Sequence, residues 1–409
     1  MDWSFLIEGK DAISVSTDSR NLPEGCIFVA LKGETFDGNK FALQALQQGA
    51  SLAIVDDEQV YESIQASGEY SALLVENSLR ALQDLARAWR RQWGKQIIGI
   101  TGTNGKTTTK ELLAAVLGTK YTIHYTQGNL NNSIGVPLTL LQLTAAHELA
   151  IVEMGASHPG DIKELVDVAE PSCGLITNVG KAHLQGFGSF EGVMRTKAEL
   201  YDYLLQHDGL IFRNADNPNL EQMLKNLGTL GNLRKLVNYT TGTMPEGTHL
   251  VGAYNSENIQ AALCVGEYFG VEREAGLTAI RAYVPTNNRS QKTVTATNTL
   301  IVDAYNANPT SMQAAINVFK GNAYILGAMR ELGEYSHTEH QNIVNMLLER
   351  KAETVLLVGD EYRETTAPYP IFSNVDEVCE HLKQHPLTGQ TILIKGSRSN
   401  KLEQVIPLL

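Results

Sequence analysis

The chain has 409 residues, 43% hydrophobic and 19% charged, with a formal net charge of −12. That acidity argues against a general binder of nucleic acid or of anionic membrane, and leaves anionic ligands to local basic pockets. Four scattered cysteines (Cys26, Cys173, Cys264, Cys379) form no Cys-x-x-Cys pair, which excludes a cysteine zinc cage and suits a reducing cytoplasm.

At about 150 residues per domain, the length holds two or three domains. No basic segment precedes a long apolar run at the start, so no signal peptide is expected. No stretch reaches the roughly 20 apolar residues of a membrane span.

Residues 1–94 read as a small α/β domain. Strands are expected at Cys26–Leu31, Leu52–Val55 and Ala72–Val75, with helices at Phe41–Gln48 and Leu79–Trp93, the last closed by Gly94. Ser16-Thr17-Asp18-Ser19-Arg20 and Phe36-Asp37-Gly38 are turn residues here, which by themselves describe a solvated loop as well as a site.

Residues 95–284 form the largest unit, with strand signals alternating with helical ones as in a parallel sheet covered by helices. Gln96–Thr101 is a buried strand, followed by Gly102-Thr103-Asn104-Gly105-Lys106-Thr107 and an amphipathic helix. Strand, glycine turn, Lys-Thr and helix together make a phosphate cradle. Backbone N–H groups and the helix N-terminus close on the anion, the lysine meets the outer phosphates, and the Thr107 hydroxyl is placed for Mg²⁺. Ile100 stands where the longer motif has a glycine, so this is the short form. Downstream, His147–Val152 leads into Glu153 at a strand end, Cys173–Asn178 leads toward His183, and a helix over Phe190–Gln206 carries Lys197. A carboxylate, an imidazole and a lysine after a phosphate loop suit metal-assisted phosphoryl chemistry, although each alone has an ordinary structural explanation. The Asn-rich loop Gln127–Pro137 can grip polar ligand groups, and Asn255 is expected to cap an Ala-rich helix with Asn258 one turn along.

Residues 285–409 open with a hinge at Pro285–Arg289 and alternate again. Strands are expected at Leu300–Val302, ending in Asp303, at Ala323–Gly327, at Thr354–Gly359 and at Thr391–Ile394, with a helix from Ser311. The unit reads as a second nucleotide-type α/β fold without a phosphate loop. On these residues alone a P-loop kinase, an amide ligase and a non-catalytic nucleotide-binding module all stay open.

Taken together, the motifs resemble the Mur ligases of peptidoglycan synthesis along the whole chain. The resemblance rests on Thr17–Arg20 with Phe36-Asp37-Gly38, the loop Thr101–Thr107, Gly128–Asn132 with Ile134–Pro137, Glu153-Met154-Gly155, Ala182-His183-Leu184, Gly186–Ser189, Tyr305–Pro309 with Ser311-Met312, and Glu331–Glu334. Asn39, Tyr254 and Ala328 stand where the family commonly has His, His and Asp.

The resemblance implies three domains: one that binds a UDP-sugar, a central P-loop ATPase and a Rossmann-like C-terminal domain. It implies an ATP-dependent, ADP-forming amide ligase that activates the carboxylate of UDP-N-acetylmuramoyl-tripeptide as an acyl phosphate and couples it to D-alanyl-D-alanine. Gly102, Thr103, Asn104, Gly105, Lys106, Thr107, Asn258 (adenine), Arg289 (phosphates) and Asp303 (ribose) would hold ATP. Thr107, Glu153, His183 and Lys197 would hold two Mg²⁺ ions, with Lys197 carbamylated because an ammonium has only donors to offer. Ser19 and Arg20 would hold the UDP-sugar, and Asn129 and Asn132 the muramoyl-peptide. A cytoplasmic monomer with no nucleic-acid partner is expected.

Overall fold

Short apolar runs rich in Ile, Val and Leu become central strands because both their faces are covered. In the computed structural model, which describes residues 2–228, 235–252, 254–286, 289 and 291–409, such runs build three sheets. Asn287 and Asn288 of the expected hinge, Ala253 before the Ala-rich helix, and Met1 lie outside the described residues.

The first sheet is parallel, with β1 (Val15–Ser16), β2 (Ile27–Val29), β3 (Leu52–Val55) and β4 (Ala72–Leu74) in chain order. Helix Ser78–Trp93 follows, capped by the Asn77 side chain and ended by Gly94 at φ +69°.

The second sheet contains β5 (Gln96–Thr101), β6 (Ile123–Tyr125), β7 (Leu149–Glu153), β8 (Cys173–Ile176), β9 (Leu210–Asn214) and β10 (Leu236–Tyr239). All are parallel, in the order β10-β9-β8-β5-β7-β6. The chain leaves β5 toward one edge and later returns to its other side, so a crevice opens at the carboxyl end of β5, where such sheets bind ligands. Ile97, Ile98 and Ile100 of β5 are fully buried; each such side chain contributes about 1.5–3 kcal/mol.

The third sheet contains β11 (Gln291–Val294), β12 (Thr299–Asp303), β13 (Ala323–Gly327), β14 (Thr354–Val358), β15 (Ile371–Phe372) and β16 (Thr391–Lys395). Its order is β11-β12-β16-β13-β14-β15, parallel except for the antiparallel edge strand β11. Return of β16 between β12 and β13 makes a second switch point and pairs Asp303 with Lys395 in register.

The units join in two different ways. One apolar cluster runs from Ile27 and Val29 through Leu82 and Trp89 to Val136, Ile162 and Leu200, so the first two units share a core. The two clusters that cover the faces of the third sheet contain only residues beyond 299. That sheet meets the rest through polar contacts, described below.

Candidate active site

Helix Lys106–Leu117 begins at the carboxyl end of β5, and Gly102 and Gly105 make the turn into it at φ +144° and +79°. Neither tolerates a side chain: a Cβ would lie 2.0 Å from Thr177 Oγ1 at Gly102, and 2.4 Å from Asn258 Oδ1 at Gly105. The loop is held from behind by Asn178, whose carbonyl accepts the Thr103 N–H at 2.9 Å and whose Oδ1 accepts the Asn104 N–H at 3.0 Å.

The Lys106 ammonium donates to the carbonyls of Gly102 (2.7 Å) and Thr103 (3.2 Å). Burial pulls it down to about 8, with the Glu153 carboxylate opposing and the Arg289 charge assisting. Glu153, at the end of β7, is buried. Its carboxylate accepts from Thr107 Oγ1 at 3.0 Å and from Asn131 Nδ2 at 2.8 Å. These two partners are neutral; among the described residues the nearest cation to the carboxylate is the buried Lys110 ammonium, 4.0 Å from Oε2.

A cavity of about 830 Å³ lies over this loop. Thr103 to Thr107, Asn129, Asn132, Glu153, His183, Asn258, Arg289 and Asp303 all line it. Asn132 Oδ1 accepts from Gly135 N–H at 2.8 Å, which shapes the Asn-rich loop. Asn258 Oδ1 accepts from Thr109 Oγ1 at 3.1 Å, and Asn258 Nδ2 donates to Asn255 Oδ1 at 2.9 Å. The helix cap expected at Asn255 is corrected: the helix spans Asn255–Tyr268, and the Asn255 amide donates back to Val251 O at 2.8 Å. From the third sheet, Asp303 pairs with Lys395 at 2.5 Å, and the Arg289 guanidinium lies 3.9 Å from the Tyr305 ring centre.

Other expected residues lie apart. Gly102 sits beneath the cavity wall, outside its lining. Lys197 is buried below Phe187, with its Nζ 5.6 Å from that ring centre, and does not line the cavity. Burial, and after it the Lys106 charge, drive the Lys197 amine well below the ordinary lysine range. His183, which does line the cavity, sits at φ +51° and pairs through Nδ1 with Glu331 of the third unit. Burial lowers its pKa although Glu331 opposes the shift. Among the described residues no three His, Cys, Asp or Glu side chains gather as a metal-holding group. Ser19 and Arg20 are outside the cavity lining, and Arg20 is exposed and paired with Asp18 at 2.7 Å.

Three residues escaped the sequence reading. Lys110, one turn beyond Lys106, is fully buried; it donates to Thr126 O at 2.6 Å and lies 4.0 Å from Glu153 Oε2. Lys395 neutralises Asp303 from a strand 92 residues away. Asn131, rather than its neighbours, grips Glu153. The run of polar residues after the Gly-Lys-Thr was the one available signal for Lys110.

An α/β crevice with a phosphate loop, completed by a second α/β unit, defines a nucleotide-dependent enzyme of the phosphoryl-transfer class. Comparison with known proteins narrows this. Family models match in series: the Mur ligase family catalytic domain over residues 13–90, the Mur ligase middle domain over 100–266, and the Mur ligase glutamate ligase domain over 288–398. The chain is 34% identical to the UDP-N-acetylmuramoyl-tripeptide–D-alanyl-D-alanine ligase of Bacillus subtilis, covering 96% of this chain and 92% of that one. It superposes on MurF of Acinetobacter baumannii with a TM-score of 0.84 at 29% identity, covering 96% of this chain and 92% of that one. The MurF ligase of Thermotoga maritima in complex with ADP gives 0.83 at 27% identity, covering 97% of each chain. The chain belongs to the Mur ligase family, and it is a ligase.

Proposed function

We propose that this Mur ligase joins D-alanyl-D-alanine to UDP-N-acetylmuramoyl-tripeptide, the reaction for which its Bacillus subtilis relative is named. The γ-phosphoryl of ATP passes to the tripeptide carboxylate, giving an acyl phosphate and ADP. The dipeptide amine then attacks the acyl carbon, phosphate leaves, and an amide forms.

The observation that carries this reading is the convergence of Lys106, Thr107 and Glu153 with Arg289 and Asp303 on one cavity. Both reacting groups are anions, so the site must supply positive charge where they meet. Lys106 does so from the loop and Arg289 from the start of the third unit. Asn258 would meet the adenine and Asp303 the ribose. Asn129 and Asn132 would touch the muramoyl-peptide, and Ser19 and Arg20 the UDP-sugar.

The Thr107 hydroxyl and Glu153 carboxylate are hard oxygen donors 3.0 Å apart, which fits Mg²⁺. Bound Mg²⁺ would neutralise charge on the transferring phosphoryl. The buried Lys197 amine, driven toward its uncharged form, suits carbamylation, which would turn it into an oxygen donor; to serve a second ion with Glu153 and His183 its side chain would have to enter the cavity, which it does not line here. We further propose domain limits of 1–94, 95–284 and 285–409, and a monomer working in the cytoplasm; among the described residues no helix is long and apolar enough to cross a membrane.

The test is ADP release by the purified chain with ATP, Mg²⁺ and UDP-N-acetylmuramoyl-tripeptide, with and without D-alanyl-D-alanine. Release that needs both acceptors and yields a pentapeptide is expected, and Glu153→Gln should lower it by about 10²–10³-fold, the range for a charge-stabilising group. Turnover with a free amino acid in place of the dipeptide would overturn the substrate assignment.

A further inference from the structure

The side chain of Asn104 is unlike the rest of its loop. Its backbone is held within the central unit: the N–H by Asn178 Oδ1 at 3.0 Å, and the carbonyl by Thr177 Oγ1 at 2.6 Å and Asn178 Nδ2 at 3.1 Å. Its Oδ1 instead accepts from Nδ2 of Asn308, 204 residues on, at 2.8 Å. Asn308 has a second task. Its Oδ1 accepts the Ser311 N–H at 2.9 Å and so caps helix Pro309–Val318.

A second bridge runs beside the first. Thr310 Oγ1 accepts the Lys181 N–H at 2.9 Å, and the Gly180 N–H donates to Thr103 Oγ1 of the phosphate loop at 2.9 Å. The N-terminal end of a helix from the third unit therefore meets Asn104 of the loop directly and reaches its neighbour Thr103 through the Gly180-Lys181 backbone. Thr310 and Ser311 of that turn line the cavity.

We propose that Asn308 is a positioning residue that couples seating of the C-terminal unit to the shape of the phosphate loop. Nucleotide can meet the loop before the unit seats; turnover requires the seated arrangement, because Asp303 and Arg289 reach the cavity only with it. The proposal rests on the ligase reading above.

The two tasks of Asn308 can be separated. Serine caps a helix about as well as asparagine but has no amide to reach Asn104. Full-length Asn308→Ser should keep its unfolding midpoint within about 2 °C of the parent. Its kcat should fall about three- to tenfold, the worth of one neutral hydrogen bond, while affinity for a non-hydrolysable ATP analogue changes less. Asn104→Ala should behave alike. The double variant should lie within roughly twofold of the lower single, as residues sharing one contact do. Thr310→Val tests the second bridge and serves if Asn104→Ala fails to fold.

A readout independent of catalysis is small-angle X-ray scattering with the analogue and Mg²⁺: the parent should become more compact, and Asn308→Ser less so. A kcat for Asn308→Ser within about twofold of the parent, or losses that multiply in the double variant, would overturn the proposal. So would analogue-driven compaction that Asn308→Ser leaves intact. A parent that compacts but makes no pentapeptide would sink the ligase reading instead.

Discussion

The two seams of the molecule are built from different materials. Between the first and central units the seam is apolar: Leu82, Leu85 and Trp89 of helix Ser78–Trp93 sit in one cluster with Val136, Leu140 and Ile162. Polar contacts accompany that packing, some buried, such as Trp89 Nε1 donating to Leu143 O at 3.0 Å, and some at its rim, such as Arg91 paired with Glu170. Between the central and C-terminal units the contacts described are polar: Asn104 with Asn308, Lys181 with Thr310 and Glu339, and His183 with Glu331. Apolar burial is non-directional and costly to expose, whereas hydrogen bonds exchange with water at small net cost. The first seam therefore fixes a platform, and the second can part and close again around substrates.

Substitutions at the two seams should fail in different ways. Trp89→Ala should remove about 3–5 kcal/mol of stability, read from urea unfolding, as loss of a buried aromatic does. The molecules that remain folded should turn over within about twofold of the parent.

Gly180→Ala should do the reverse. A Cβ there would lie 2.6 Å from Thr310 Oγ1, so the C-terminal helix must shift. Turnover should fall about 10²-fold, the effect of a roughly 1 Å misplacement, with an unfolding midpoint close to the parent's. A large drop in midpoint without loss of turnover would erase the distinction between the seams.

A smaller effect is expected at Lys181, whose ammonium meets the buried Glu339 carboxylate at 2.7 Å. Lys181→Met should lower kcat about two- to fivefold, and added salt should slow the parent more than the variant.

The mildest effect concerns pH. Burial holds His340 of the C-terminal unit below its ordinary pKa of 6.5. Its Nε2 accepts the Met329 N–H at 3.0 Å, which needs the neutral ring. The unfolded chain then binds more protons than the folded one just below pH 6.5, so the stability contribution is full above that value and declines as pH falls. Urea midpoints between pH 7.5 and 5 should show the slope, and His340→Gln should flatten it.

What could be read beforehand was whatever is local in the chain. The strand, glycine turn and helix around Lys106 are adjacent in sequence, and so are Glu153 and Asp303 with the apolar runs that end in them. The helix Phe190–Gln206 appears with those bounds because Ser189 caps it and its apolar spacing is regular. Edge strands were missed: β6, β10 and β15 are two to four residues long and only half-buried, so they carry little pattern. The helix expected from Ser311 begins at Pro309, since the cap is Asn308 rather than a later residue. Pairings across long separations were not legible at all. Nothing near Lys395 or Asn308 announces Asp303 or Asn104; only the return of β16 beside β12 and the seating of one helix bring them together.

The third sheet covers both its faces with its own residues. It follows that this unit is a natural point of recombination. A hybrid with the corresponding unit of a relative would leave every apolar core intact and would have to match a handful of polar positions around Asn308 and Thr310. The exchange would carry Arg289, Asp303 and Lys395 with it, while Lys106, Thr107 and Glu153 stay on the central platform.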